Sequence, residues 1–152
     1  SKVFSLAGLR LGWVAAPQDV TQKIMIHRDY DTISVGMLND YFAAIALENA
    51  DNVLSRSQQI TRENLAILEE WINNEPRVSW VKPRAGTTAM LKLDVPMTCR
   101  EFCIDLIEKT GVMLTPGDAF EMEGYARIGY ANGRETLEAG LKELSSYLGD
   151  IR

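Results

Sequence analysis

The sequence has few of the residues that form disulfides or bind metals in small proteins, with two cysteines and one histidine among 152 residues. Two cysteines do not make a disulfide framework, and Cys99 and Cys103 have an i, i+4 spacing that would place both on one helix face. We interpret them as small packing residues, since free cysteine is among the most buried residue types. His27 stands far from both in the sequence, so we interpret it as a surface or structural residue and predict no metal site.

The sequence also lacks long apolar runs and an excess of basic residues. No run approaches the ~20 apolar residues that a membrane-spanning helix needs, so no membrane partner is predicted. Asp and Glu number 21 against 16 Lys and Arg, giving a formal net charge of −5. A nucleic-acid binder usually carries a basic cluster, and none is seen, so no nucleic-acid partner is predicted. No signal-peptide pattern is found either, and a cytoplasmic location is expected.

The composition is that of an ordinary globular protein, with 46% hydrophobic and 24% charged residues. The front half has mostly helical periodicity. An apolar run over residues 9–16 predicts a strand, and helices are predicted over 18–28, from Val35, and over 52–74, where Pro76 ends the pattern. The apolar stripe of the third helix consists of Leu65, Leu68, Trp71 and Ile72.

The back half alternates between strand and helix patterns. Strands are predicted over residues 78–81, 87–93, 112–114 and 125–130. Thr98 and Glu101 form a capping-box pattern at the start of a helix that Gly111 ends, and Gly149 is predicted to end the last helix. These patterns predict an α+β fold in which helices back a small sheet, preceded by a strand and helices.

The first ten residues contain the side chains best suited to catalysis or ligand binding. Lys2 precedes a segment of small residues and glycine, and Arg10 follows at the start of the predicted strand. A lysine amine is the side chain that forms Schiff bases with carbonyl compounds, and arginine binds phosphate through paired N–H donors. From the residues alone, a solvated loop remains the other interpretation.

The segment resembles the cofactor-lysine signature of the class I and II aminotransferases, which are pyridoxal-phosphate enzymes of fold type I. That signature is a lysine, two variable residues, a small residue, an aliphatic residue, and then glycine-x-arginine-aliphatic-glycine. The matching positions in this chain are Lys2, Ser5, Leu6, Gly8, Arg10, Leu11 and Gly12.

Three further segments resemble the same family, in its order along the chain. Residues 82–87 are similar to its approach to the small-domain strand, and residues 112–120 to its valine-x-x-x-proline-glycine-x-x-phenylalanine loop. Arg127, in the segment 126–131, matches the strand arginine that binds the substrate carboxylate. The resemblance covers nearly the whole chain.

The resemblance implies a role for three residues. Lys2 would form the Schiff base with pyridoxal 5'-phosphate and then act as the general base, and Arg10 would bind the cofactor phosphate. Arg127 would pair with the α-carboxylate of an amino acid or 2-oxo acid substrate. A homodimer is implied for the full-length protein.

The resemblance also implies a division of the chain. Residues 1–17 would be a remnant of the large-domain loop and strand that carry the lysine, 18–75 a helical linking region, and 76–152 the C-terminal small α+β domain. The chain begins Ser1-Lys2 without methionine, so we expect it to be a C-terminal portion of a larger enzyme, inactive in isolation.

Three functional hypotheses remain open at this point. The first is a pyridoxal-phosphate-dependent aminotransferase. The second is a non-transaminating relative, namely a lyase, a racemase or the aminotransferase-like effector domain of a transcription regulator. The third is a structural fragment without a ligand. Lys2 and Arg10 are shared by the first two and do not separate them.

Overall fold

A computed structural model describes residues 2–151, which form two compact units that divide after Ser57. The helices are α1 (Gln18–Arg28), α2 (Met37–Glu48), α3 (Ala50–Asn74), α4 (Cys99–Thr110) and α5 (Arg134–Asp150). The strands are β1 (Val78–Trp80), β2 (Thr88–Leu93), β3 (Thr115–Pro116) and β4 (Tyr125–Gly129). Short 3₁₀ helices lie at Ala7–Leu9 and Gly117–Phe120. No helix within the described residues is long and apolar enough to cross a bilayer.

The second unit is built on a four-stranded sheet with the order β1-β2-β4-β3. Every neighbouring pair is antiparallel. β2 and β3 therefore run in the same direction with β4 between them, and α4 connects them in a split β–α–β arrangement. This topology places β4 in the middle of the sheet, where both of its edges are paired over residues 126 and 127.

The core of the second unit lies on one face of this sheet. Ala89, Leu91 and Leu93 are buried and alternate with Thr88, Met90 and Lys92, as the sequence predicts. Helices cover the buried face because each contributes an apolar stripe. The stripe residues are Leu68 and Ile72 of α3, Phe102 and Leu106 of α4, and Leu141, Leu144 and Leu148 of α5. The predicted α+β, helix-backed sheet is confirmed.

Local signals also gave correct helix ends. α1 has the predicted bounds, and Thr98 and Glu101 form the predicted capping box at the start of α4. Gly111 ends α4 in the left-handed conformation with φ of 75°. Each of these features depends on residues close in sequence, which is why the pattern alone was sufficient.

Three local predictions are wrong. Residues 9–16 are not a strand, because Arg10 has a left-handed φ of 48° and no strand lies within residues 2–57 for the segment to pair with. Residues 112–114 are also unpaired, and only Thr115 and Pro116 pair with β4. Gly149 does not end α5, which continues through Asp150; glycine disfavours a helix but does not forbid it.

Asn64 of α3 is a buried polar residue that holds the end of β4. Its side chain is 1% exposed, and its Nδ2 donates to the carbonyl oxygens of Tyr130 and Asn132, each at 2.8 Å. The chain between β4 and α5 is therefore fixed to α3. The bond to the Tyr130 carbonyl is buried, so losing its donor is costly because water cannot replace it, whereas the bond to the Asn132 carbonyl is part-buried.

We expect Asn64→Leu to lower the free energy of unfolding by about 2–4 kcal/mol, since it removes the donors for both carbonyls. Equilibrium urea unfolding of the chain measures this. Asn74→Leu is the matched control, because the Asn74 amide bonds only the exposed Glu70 carbonyl one turn back. A loss at Asn64 no larger than that at Asn74 would contradict the role assigned to Asn64.

Candidate functional site

Lys2 lies at the start of a tight turn in the first unit. The Ser5 N–H donates to the Lys2 carbonyl at 3.2 Å, and Ser5 has a positive φ of 55°. The Ser5 hydroxyl lies 3.2 Å from the Ser57 hydroxyl, a hydrogen bond that ties the turn to α3. The Lys2 side chain is exposed, so its amine is accessible to a ligand.

Arg10 follows the 3₁₀ helix that comes after this turn. Its backbone N–H donates to the Ala7 carbonyl at 3.3 Å, and its Nη1 donates to the same oxygen at 3.0 Å. The left-handed backbone of Arg10 thus folds the side chain along its own loop. A guanidinium has five N–H donors, and the exposed side chain of Arg10 has others to offer an anion.

Apolar side chains hold the loop that carries Lys2 and Arg10 against α2. Phe4, Leu6 and Leu9 form a shallow pocket with Ala46 and its neighbours on that helix. Ala46 is the buried member, at 9% exposure. Lys2 and Arg10 therefore lie on a loop that apolar contacts hold against α2.

Arg127 lies at the centre of the sheet in the second unit. It stands opposite Met90 of β2 on one side and Thr115 of β3 on the other. Its neighbours in β4, Ala126 and Ile128, are buried in the core, so the side chain of Arg127 projects from the opposite face of the sheet. Because β4 is paired on both sides at Arg127, the backbone that carries the guanidinium is fixed in the sheet.

Two groups contact the Arg127 guanidinium directly. Nη2 donates to the Thr115 Oγ1 at 3.3 Å, and Cζ lies 4.8 Å from the centre of the Phe120 ring. A cavity of about 440 Å³ borders Arg127, between residues 111–115, the end of β4 and α5. No role was predicted for Thr115 or Phe120 from the sequence, although both lie in the proline-glycine loop at residues 112–120.

A polar network attaches the Gly117–Phe120 turn to the start of α4. Cys99 donates from its N–H to Glu123 Oε1 at 2.8 Å and from its thiol to Oε2 at 3.3 Å. The Asp118 N–H donates to Cys99 Sγ at 3.4 Å, and Arg100 Nε pairs with Asp118 Oδ2 at 2.7 Å. These hydrogen bonds from Cys99 lower the pKa of the Glu123 carboxyl.

The sulfur and carboxylate atoms of Cys99, Asp118 and Glu123 lie within 4.8 Å of one another, a distance at which such atoms could share a metal ion. Cys99 bonds both Glu123 oxygens and the Asp118 N–H, and Asp118 Oδ2 pairs with Arg100. Asp118 Oδ1 is buried and has no hydrogen-bond partner among the described residues. Cys103 lies on the same buried face of α4. Burial chiefly raises the pKa of the Cys103 thiol to about 11, so the thiol is protonated at neutral pH, in keeping with packing.

The predicted site residues thus lie in both compact units. Lys2 and Arg10 share one loop in the first unit, and Arg127 lies in the second with Thr115 and Phe120 against it. His27, interpreted as a surface or structural residue, is exposed on α1. The first unit offers an accessible amine and a guanidinium, and the second unit offers a guanidinium of its own. An amine binds carbonyl compounds and a guanidinium binds anions.

Comparison with known proteins identifies relatives along the whole chain. Capreomycidine synthase from Streptomyces vinaceus is 34% identical over 98% of this chain and 39% of its own length. A PLP-dependent aminotransferase from Streptococcus suis 89-1591 is 42% identical, with a TM-score of 0.96 over 99% of this chain and 40% of the other. The PLP-dependent cyclase OrfR is 31% identical, with a TM-score of 0.91 over 97% of this chain and 41% of the other.

The chain spans about 40% of the length of these relatives. The fold matches a fragment of the fold type I aminotransferases, as the resemblance implied. The family model for aminotransferase class I and II matches residues 1–144. The chain therefore belongs to the aminotransferase class I and II family.

Proposed function

We propose that this chain acts as part of a longer PLP-dependent aminotransferase, which transfers an amino group from an amino acid to a 2-oxo acid. The observation that carries the proposal is the presence of an exposed Lys2 and an exposed Arg10 on one loop. The family match and the aminotransferase from Streptococcus suis support it. On this view the remainder of the site is supplied by chain beyond these residues.

The chemistry of the donor set fits pyridoxal 5'-phosphate. Its aldehyde reacts with a primary amine, which Lys2 carries, and its phosphate accepts paired N–H donors, which Arg10 carries. When bound, the cofactor supplies the electron sink that stabilises a carbanion at the substrate Cα. Nζ of Lys2 would hold the cofactor at its aldehyde carbon, and the same Nζ would take up the Cα proton once the substrate amino group has replaced it at that carbon.

Arg127 would bind and orient the substrate. A bidentate contact between a guanidinium and a carboxylate fixes both position and rotation of the acid. The half-buried environment of Arg127 strengthens such a contact relative to open water, because the local dielectric is lower. Amino acids and 2-oxo acids both carry this carboxylate, so one residue would serve both substrates.

A homodimer and a cytoplasmic location are part of this proposal. The first unit exposes large apolar side chains, among them Trp13 at 70%, Tyr30 at 88% and Met37 at 82%. An apolar surface of this kind is typical of a surface that is covered in the assembled protein. The rest of the protein and a second copy would cover it.

A PLP-dependent cyclase or lyase is the second candidate function. The observation in its favour is the likeness to capreomycidine synthase and to the cyclase OrfR. Such enzymes would use Lys2, Arg10 and Arg127 in the same binding roles. They differ in the fate of the substrate, because the amino group is not passed to a 2-oxo acid.

Amino transfer is tested in the full-length protein loaded with PLP. We expect ¹⁵N from a labelled amino acid, taken from a panel of donors, to appear in the amino acid formed from 2-oxoglutarate or pyruvate. Mass spectrometry detects the label, and omission of the 2-oxo acid is the control. A cyclised or eliminated product without label transfer would contradict the aminotransferase and favour the second candidate.

A further inference from the structure

We propose that Thr115 and Phe120 are positioning residues for Arg127, holding its guanidinium in the orientation that receives a substrate carboxylate. This inference rests on the proposed function of Arg127. It assigns a role to two residues that do not themselves touch the reacting atoms. The two contacts differ in kind, since Thr115 acts through a hydrogen bond and Phe120 through its ring.

Thr115 is placed by the pairing of β3 with β4. Thr115 and Arg127 stand directly opposite in that antiparallel pair, so their side chains lie on the same face of the sheet. The hydroxyl accepts from Nη2 at 3.3 Å. This hydrogen bond uses one N–H of the guanidinium and leaves its other N–H donors for a carboxylate.

Phe120 is placed by a backbone turn that requires glycine at its start. A Cβ added to Gly117 would lie 2.2 Å from the Met122 carbonyl oxygen and 2.5 Å from that of Tyr125. The Met122 N–H donates back to the Gly117 carbonyl at 2.9 Å. The turn is therefore pressed against the chain that leads into β4, which carries Arg127.

The same turn is attached at its other side to α4. The Asp118 N–H bonds Cys99 Sγ, and the Asp118 carboxylate pairs with Arg100. Although the Phe120 side chain is 42% exposed, its backbone is held from two directions. An exposed ring on a fixed backbone is suited to support another side chain at its face.

The ring and the hydroxyl together restrict the motion of a long side chain. A cation over an aromatic face is attracted to it, and the hydrogen bond limits rotation about the Nε–Cζ bond. Binding is favoured when a flexible group is ordered before the ligand arrives, because less conformational freedom is lost on association. Removal of either contact should weaken substrate binding and leave the chemical step unaffected.

The test uses four variants of the full-length, PLP-loaded protein, with Arg127→Gln as the reference. Phe120→Leu should raise KM for the amino acid about fivefold, and Thr115→Val about threefold, with kcat within about twofold. Phe120→Tyr keeps the ring and Thr115→Ser keeps the hydroxyl, so both should restore KM to near the wild-type value. If the two residues had only a structural role, KM would not depend selectively on the ring at position 120 and the hydroxyl at position 115.

Rotation of the guanidinium is the second readout. NMR of ¹⁵N-arginine-labelled protein should show slow Nε–Cζ rotation for the signal that Arg127→Gln removes, and faster rotation in Phe120→Leu and Thr115→Val. A large KM effect of Arg127→Gln with none from Phe120→Leu or Thr115→Val would overturn this inference alone. An unchanged KM in Arg127→Gln would instead overturn the proposed role of Arg127.

Discussion

Replacing Lys2 with alanine should abolish the covalent attachment of PLP to the full-length protein. The expected loss is complete, because an aldehyde needs a primary amine to bind covalently and alanine has none. Folding should be unaffected, since the Lys2 side chain is exposed and only its carbonyl accepts a hydrogen bond, from Ser5. The backbone turn survives the substitution.

The visible absorbance of the purified protein measures this attachment. We expect the yellow colour of the wild-type protein to be absent in Lys2→Ala and in Lys2→Arg, which keeps the charge but has no primary amine. Lys23→Ala is the matched control, because Lys23 is an exposed lysine of α1. A Lys2→Ala protein that keeps a yellow, borohydride-sensitive cofactor would show that another lysine holds it.

The second large effect is expected at Arg127. Arg127→Gln should raise KM for amino acid substrates on the order of 100-fold, because the substrate carboxylate loses a charged, bidentate partner. PLP binding should change little, since the proposed cofactor contacts are Lys2 and Arg10. The effect should hold for every donor, because all carry the α-carboxylate.

Steady-state kinetics with amino acid and 2-oxo acid varied in turn would measure this effect. Both KM values should rise together. Arg134→Lys provides the control, since Arg134 is an exposed arginine paired with Glu138 on the same helix. If Arg127→Gln affected KM no more than this control, the carboxylate-binding role would be excluded.

The parts of the fold that were predicted correctly depend on short-range signals. The bounds of α1, the capping box at Thr98 and the left-handed Gly111 follow from residues within a few positions of each other. The buried face of β2 follows from strict alternation. The sequence pattern is thus sufficient to predict an element where the pattern is regular and depends on residues close together in the chain.

The two strand predictions that failed depend on pairing partners distant in the chain. Residues 9–16 and 112–114 are both apolar and extended in pattern, yet a strand forms only where a neighbouring strand completes its hydrogen bonds. Thr115 and Pro116 have β4 beside them, and the residues before them do not. Apolar periodicity alone does not contain that information.

The division of the chain depends on packing as well. The predicted boundary between residues 75 and 76 follows the end of α3, and it stays a prediction. The compact units divide after Ser57, within that helix, because Leu68 and Ile72 belong to the core of the second unit. A continuous helical pattern does not reveal which of its turns pack in which core.

The residues of the candidate site differ in how far the sequence indicates them. Lys2, Arg10 and Arg127 were identified by a residue pattern that resembles a family, and their roles remain proposals. Thr115 and Phe120 were found only from the β3–β4 register and from the turn at Gly117. Contacts of this kind arise from cross-strand geometry, so a linear sequence does not display them.

The most direct test of the account is to locate the cofactor on the protein. Borohydride reduction of the full-length, PLP-loaded protein followed by peptide mass spectrometry should place the pyridoxyl group on the peptide that contains Lys2, and on no other lysine. Modification of a different lysine, or of none, would contradict the assignment of Lys2 and with it the proposed function.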